Sequence, residues 1–150
     1  MTIDIWGPST WTFMHTLASK MKEEQFPIIG PSAIQHLIQI CYNLPCPDCT
    51  QHAKKFWSNV KTQNIKTKTD LKNLLFFFHN MVNQRKRTPA FKIENLSYYD
   101  TRGVIETYNS FSKNFNTNGN MTLIADSFHR NRMLNNLKLW LKMNIMHFET

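Results

Sequence analysis

Glycine is scarce in this chain, with four in 150 residues. A strand-and-turn architecture consumes glycine at its tight turns, so this scarcity argues for helices. The apolar residues agree. Trp11, Met14, His15, Leu17, Ala18 and Met21 recur at three- and four-residue spacing, which predicts a helix with one buried face. Trp6-Gly7-Pro8-Ser9 is expected to open it, with Pro8 in the first turn and Ser9 capping. Phe26-Pro27 and Gly30-Pro31 are expected to break it.

A second helix is predicted from about Ser32 to Tyr42 and a third from Cys46 to near Val60, with Cys46 as N-cap and Pro47 at the first helical position. After the polar loop Lys61–Lys68, a fourth begins at Thr69 or Asp70, carries Leu71, Leu74, Leu75, Phe78, Met81 and Val82 as its apolar residues, and ends before Pro89. A fifth, over Tyr98–Phe115, is weakened by Gly103. Asn114–Asn120 reads as a turn or linker. The segment Phe128–Phe148 is again amphipathic, with Met133, Leu134, Leu137, Trp140, Leu141 and Ile145 on one side. The expectation is an all-α protein with a four-helix bundle over residues 1–113, a short fifth helix, and a linker and appended helix over 114–150. No apolar run reaches membrane-spanning length, and no basic and apolar leader precedes Trp6, so the chain is expected to stay in the cytoplasm where it is made.

Chemistry concentrates in Cys46-Pro47-Asp48-Cys49-Thr50-Gln51-His52. Two thiols three residues apart can close a disulfide or hold a soft metal, and only Cys41 exists besides them. Unpaired N–H groups at a helix start favour a thiolate, and Lys54 and Lys55 add positive charge, so depressed thiol pKa values are expected. Cys46, at the start of the turn, is the sulfur open to attack; Cys49 is placed to face inward. A zinc site made of Cys46, Cys49, His52 and His79 is the rival reading, although the Cys49–His52 spacing is tight for one helical turn. Residues 51–92 carry ten Lys/Arg against Asp70 alone. That excess fits a solvated face, an anionic cofactor or nucleic acid, and the last leaves the thiol pair unexplained.

Three motifs stand in order along the chain: Trp6-Gly7-Pro8-Ser9-Thr10-Trp11 with His15 and Ala18; Pro45–Cys49 with His52; and His79-Asn80-Met81-Val82-Asn83, trailed by Pro89 and Phe91. Together they resemble the first-helix signature, the P-C-x-x-C segment and the H-N-x-V-N of the Erv/ALR family of FAD-linked sulfhydryl oxidases. The resemblance implies a bundle that holds FAD, oxidation of substrate dithiols with electrons passing to molecular oxygen to give hydrogen peroxide, and a homodimer. It implies Cys49 against the flavin and Cys46 toward substrate, a dithiol protein or thioredoxin-like carrier. Gly7, Pro8, Trp11, His15, His52, His79, Asn80, Val82 and Asn83 would line FAD, with no metal, no membrane span and no nucleic acid. Thr88 replaces a lysine common in the family, so Arg85, Lys86 or Arg87 would neutralise the phosphates. The family's distal cysteine shuttle is absent, as in its minimal viral members, which suggests host cytoplasm or a virion as the location. The likeness runs over about residues 6–91 and fades beyond 92.

Overall fold

The computed structural model describes residues 3–115 and 124–150. Among them every extended element is helical: α1 (Ile3–Lys20), α2 (Phe26–Cys41), α3 (Pro47–Ser58), α4 (Lys68–Lys86), α5 (Val104–Phe115) and α6 (Ile124–Asn144), joined in places by short 3₁₀ turns. The all-α expectation holds. Residues 116–123 lie outside the described residues, and with them most of the turn read over 114–120; Asn114 and Phe115 still belong to α5.

α1 starts earlier than Trp6. Pro8 sits inside the helix rather than in its first turn, and Ser9 does not cap it: the Ser9 and Thr10 hydroxyls both donate back to the Trp6 carbonyl, at 3.2 and 2.6 Å. Its second half also differs from the one-faced helix that the spacing predicts. Residues 13–20 are buried on every side, because α4 and α5 and the 3₁₀ stretch Ile93–Thr101 surround it.

α2 begins at Phe26, six residues before the predicted start, and runs straight through Gly30-Pro31. Pro27 lies in the first turn, where a missing N–H costs nothing. Gly30 is required by packing: a Cβ there would come within 2.7 Å of the Phe26 ring. The two residues that read as a break are thus a ring seat and a tolerated proline. In α4 the cap is Thr67, not Thr69 or Asp70; Thr67 and Asp70 form a reciprocal capping box. Of its apolar residues Leu71, Leu75 and Phe78 are buried, Leu74 and Val82 are partly buried, and Met81 is exposed. The stretch read as one fifth helix divides at Gly103 into the 3₁₀ run Ile93–Thr101 and α5.

One apolar cluster joins α1, α2, α3 and α4 to α5 and α6. α6 inserts Met133, Leu134, Leu137 and Leu141, while Ile145 stays 42% exposed, against its predicted inward position. Helix α6 packs on α2 and α5. The Tyr108 hydroxyl donates to the Leu134 carbonyl (2.8 Å), and Trp140 Nε1 donates to Ser32 Oγ (3.0 Å). The C-terminal residues then return to the end of α1 through a β-bridge between Met21 and Phe148. The buried Lys20 ammonium donates to the Thr150 and Asp100 carbonyls. No helix among the described residues is long and apolar enough to cross a membrane.

Candidate active site

The start of α3 sets the thiol pair. Leu44-Pro45 leads into an extended Cys46 (φ −144°, ψ 111°), Pro47 supplies a fixed φ without an N–H to satisfy, and the Cys49 amide donates to Cys46 Sγ at 3.2 Å. Cys46 is therefore the N-cap, as its position before proline predicts. Both sulfurs are free and half-buried. Asp48, on the first turn, joins Arg85 of α4 (3.3 Å) and His52 one turn on (3.6 Å).

Cys49 does not show the depressed pKa expected from the helix start. Burial pushes the Cys49 thiol up to about 11, and the neighbouring Cys46 sulfur adds to the rise. Arg85, not Lys54 or Lys55, is the cation that opposes it. Lys54 lies instead over the Tyr42 ring, 5.4 Å from its centre. Cys41 is buried and raised to about 12 by desolvation, which leaves it inert as a nucleophile.

Cys49 opens into a cavity of about 910 Å³ between α1, α3 and α4. That volume is near the top of the roughly 300–1,000 Å³ range of small-molecule sites. Gly7, Pro8, Trp11, His52, His79, Val82, Asn83, Arg85 and Lys86 line it with Cys49; Cys46 does not. Trp11 and His79 stack face to face, 4.0 Å apart and 4° from parallel, and Phe78 meets Trp11 edge-on at 5.2 Å.

Behind that stack is a histidine pair, His15 buried and His79 half-buried. His15 Nε2 and His79 Nδ1 are 2.9 Å apart, so one ring donates and the other accepts. Burial lowers His15 to about 3, with repulsion from His79 second; burial lowers His79 to about 4, with Lys86 second. Both imidazoles are neutral at pH 7, and His79 keeps Nε2 for a ligand in the cavity. Tyr99 and Phe91 close over His15, with ring centres at 4.7 and 5.3 Å.

Three nominated residues are not part of the cavity wall. His15 stands one layer behind it. Asn80 spends its amide on the backbone of Phe91, donating to the carbonyl at 3.0 Å and accepting from the N–H at 2.7 Å. Arg87 ends α4 with left-handed backbone (φ 58°). The turn it makes is tied by Thr88, whose N–H and hydroxyl reach Asn83, and it sends Pro89–Phe91 back along α4. Sequence reading missed Tyr99, which carries no motif signal, and the Asp48–Arg85 pair, whose partners are 37 residues apart. Among the described residues, no three His, Cys, Asp or Glu side chains are grouped to hold a metal.

The donor set fits a flavin dinucleotide. Flat rings are present for stacking, a neutral imidazole nitrogen for a directional hydrogen bond, Arg85, Lys86 and Lys55 for phosphate charge, and a thiol in the same wall.

Comparison with known proteins agrees. The Erv1 / Alr family profile matches residues 8–102, further than the motifs alone carry the likeness. Two viral proteins provisionally named as FAD-linked sulfhydryl oxidases are similar. That of Invertebrate iridescent virus 6 is 34% identical over 91 residues, covering 57% of this chain and 82% of the relative. That of Fowlpox virus (strain NVSL) is 30% identical over 78 residues, covering 52% and 74%. No solved structure matches. With a family match across most of its length and thiol, ring and cation positions to suit, the chain belongs to the Erv1 / Alr family.

Proposed function

We propose that this protein is an FAD-linked sulfhydryl oxidase, which converts substrate dithiols to disulfides and yields hydrogen peroxide from oxygen. The observation that carries the reading is the position of Cys49 in the wall of a flat-ringed, cation-rimmed cavity, with Cys46 one turn outside it.

In the oxidised enzyme Cys46 and Cys49 share a disulfide. A substrate thiolate attacks Cys46 Sγ, a new S–S bond forms, and the Cys46–Cys49 bond breaks with its electron pair leaving on Cys49. Arg85 stabilises that departing thiolate, which its buried setting otherwise penalises. The second substrate thiolate then attacks its own sulfur in the mixed disulfide and releases Cys46. Substrate has lost two electrons and two protons, and the pair is left as two free thiols. When bound, FAD would supply the two-electron acceptor for the reduced pair. Trp11 and His79 would hold its ring system, His15 fixes the His79 tautomer, and Arg85, Lys86 and Lys55 would face its phosphates.

The reading extends to a homodimer working in the cytoplasm, in an infected cell for a viral chain, on a dithiol protein or a thioredoxin-like carrier. Purified protein is expected to be yellow, with flavin absorbance near ~450 nm, and to consume oxygen with dithiothreitol. Colourless protein carrying stoichiometric zinc would refute the assignment. Light scattering decides the dimer.

A further inference from the structure

Two concavities flank the turn that carries Cys46, which lines neither of them itself. Cys49 faces the large cavity; on the other side of the same turn lies a groove of about 410 Å³. Pro45 and Pro47, the residues either side of Cys46, both line the groove, with Gln51 and Lys54 of α3 and Asp126 and Arg130 of α6. Anything seated there lies against the backbone flanking the attacked sulfur. The lining mixes prolines and Leu44 with polar side chains; Asp126 attracts Arg130, so the excess charge is the positive charge of Lys54. The ammonium is held at the rim over the Tyr42 ring. The prolines fix the groove's shape and donate no backbone hydrogen bonds.

We propose that this groove seats the stretch of a protein dithiol substrate next to its reacting cysteine, an extended segment carrying acidic residues, with α6 as one wall. The proposal rests on the oxidase reading above and adds what selects the substrate. A small dithiol reaches Cys46 without filling the groove. A second copy of the chain, at net charge +8, is a poor complement to a positive rim. Helix α6 lies outside the residues that match the family, 8–102, so the C-terminal segment gives this member a specificity element of its own.

The test uses the full flavin-loaded chain and two reduced peptides with the same Cys-x-x-Cys, one flanked by glutamates and one by lysines, beside dithiothreitol. The glutamate peptide is expected to show a kcat/KM ~3–5-fold above the lysine peptide, the scale of one partly exposed ion pair. Lys54→Glu should erase or invert that ratio. Gln51→Trp, which fills the groove, should raise KM for both peptides. Neither variant should change dithiothreitol turnover. Calorimetric binding of the peptides to the same proteins gives a readout independent of turnover. If both peptides bind and react alike in wild type and variants while dithiothreitol turnover is intact, the groove is not a substrate site. If wild type fails on dithiothreitol, the oxidase reading falls, and the calorimetry still decides whether the groove prefers the acidic peptide.

Discussion

The two ends of the large cavity are built to opposite electrical specifications. At the α3 end, Cys49 sits half-buried beside an exposed ion pair, Asp48 with Arg85, and its charge must change for thiol exchange to occur. At the α1–α4 end, His15 and His79 are packed among Trp11, Phe91 and Tyr99, and burial keeps both rings neutral. A sulfur that must gain and lose charge needs a cation and solvent near it. Imidazoles that must present a fixed face and a fixed proton need the reverse. The difference teaches that one cavity can hold a reactive edge and an inert floor when burial sets the charge state at the floor and a neighbouring cation opposes burial at the edge.

The sharpest break is at the thiol end. Cys49→Ser and Cys46→Ser should each abolish dithiol-driven oxygen uptake, a loss of at least ~10³-fold, since a hydroxyl neither attacks nor leaves as a thiolate does. Cys49→Ser should leave flavin binding largely in place, which separates reaction from occupancy in an absorbance spectrum.

The inert end is tested by pH. His15 and His79 have lowered pKa values in the folded state, about 3 and about 4 against the ordinary 6.5. Between these values and 6.5 the unfolded chain binds more protons than the folded one, so stability rises with pH across that window. It is fully present above about 6.5 and is lost as pH falls toward 3–4. The expected loss from pH 7 to pH 4 is on the order of 3 kcal/mol for each ring, read by denaturant melts. His79→Gln should flatten the slope; an unchanged slope would mean that the pair is not neutral in the fold.

Arg85→Met sharpens the contrast with a smaller effect. Without the guanidinium, alkylation of Cys49 in a Cys46→Ser background should slow roughly tenfold at pH 8, its pH profile moving upward. No movement would place the cation's role at the cofactor phosphates alone. Smallest of all, Cys41→Ser should retain most activity, because Cys41 is a packed thiol and reacts with nothing. A dead Cys41 variant would show that the active pair is misassigned.

Much of this site was legible along the chain because its parts are local. Cys46-Pro47 encodes its own N-cap, and His79–Asn83 repeats on one helical turn, so spacing alone places the side chains on shared faces. The misreadings came where distant packing overrides local rules. Gly30-Pro31 reads as a stop, yet the helix continues, and the glycine there leaves the space that the Phe26 ring fills. α1 reads as amphipathic, yet residues 13–20 are enclosed by elements from the far end of the chain. Asn80 reads as a ligand of the cofactor, yet its amide matches both backbone groups of Phe91, eleven residues on.

By itself, then, the sequence determined the helical class, the N-cap thiol pair and the family, since each is written in short-range spacing and in the steric limits of proline. Only the tertiary structure decided which cation meets Cys49, that Tyr99 and Phe91 close over His15, and that α6 reaches the groove beside Cys46. Those contacts join residues far apart in the chain. Burial and charge at a site depend on everything that packs there, and no local pattern carries that sum.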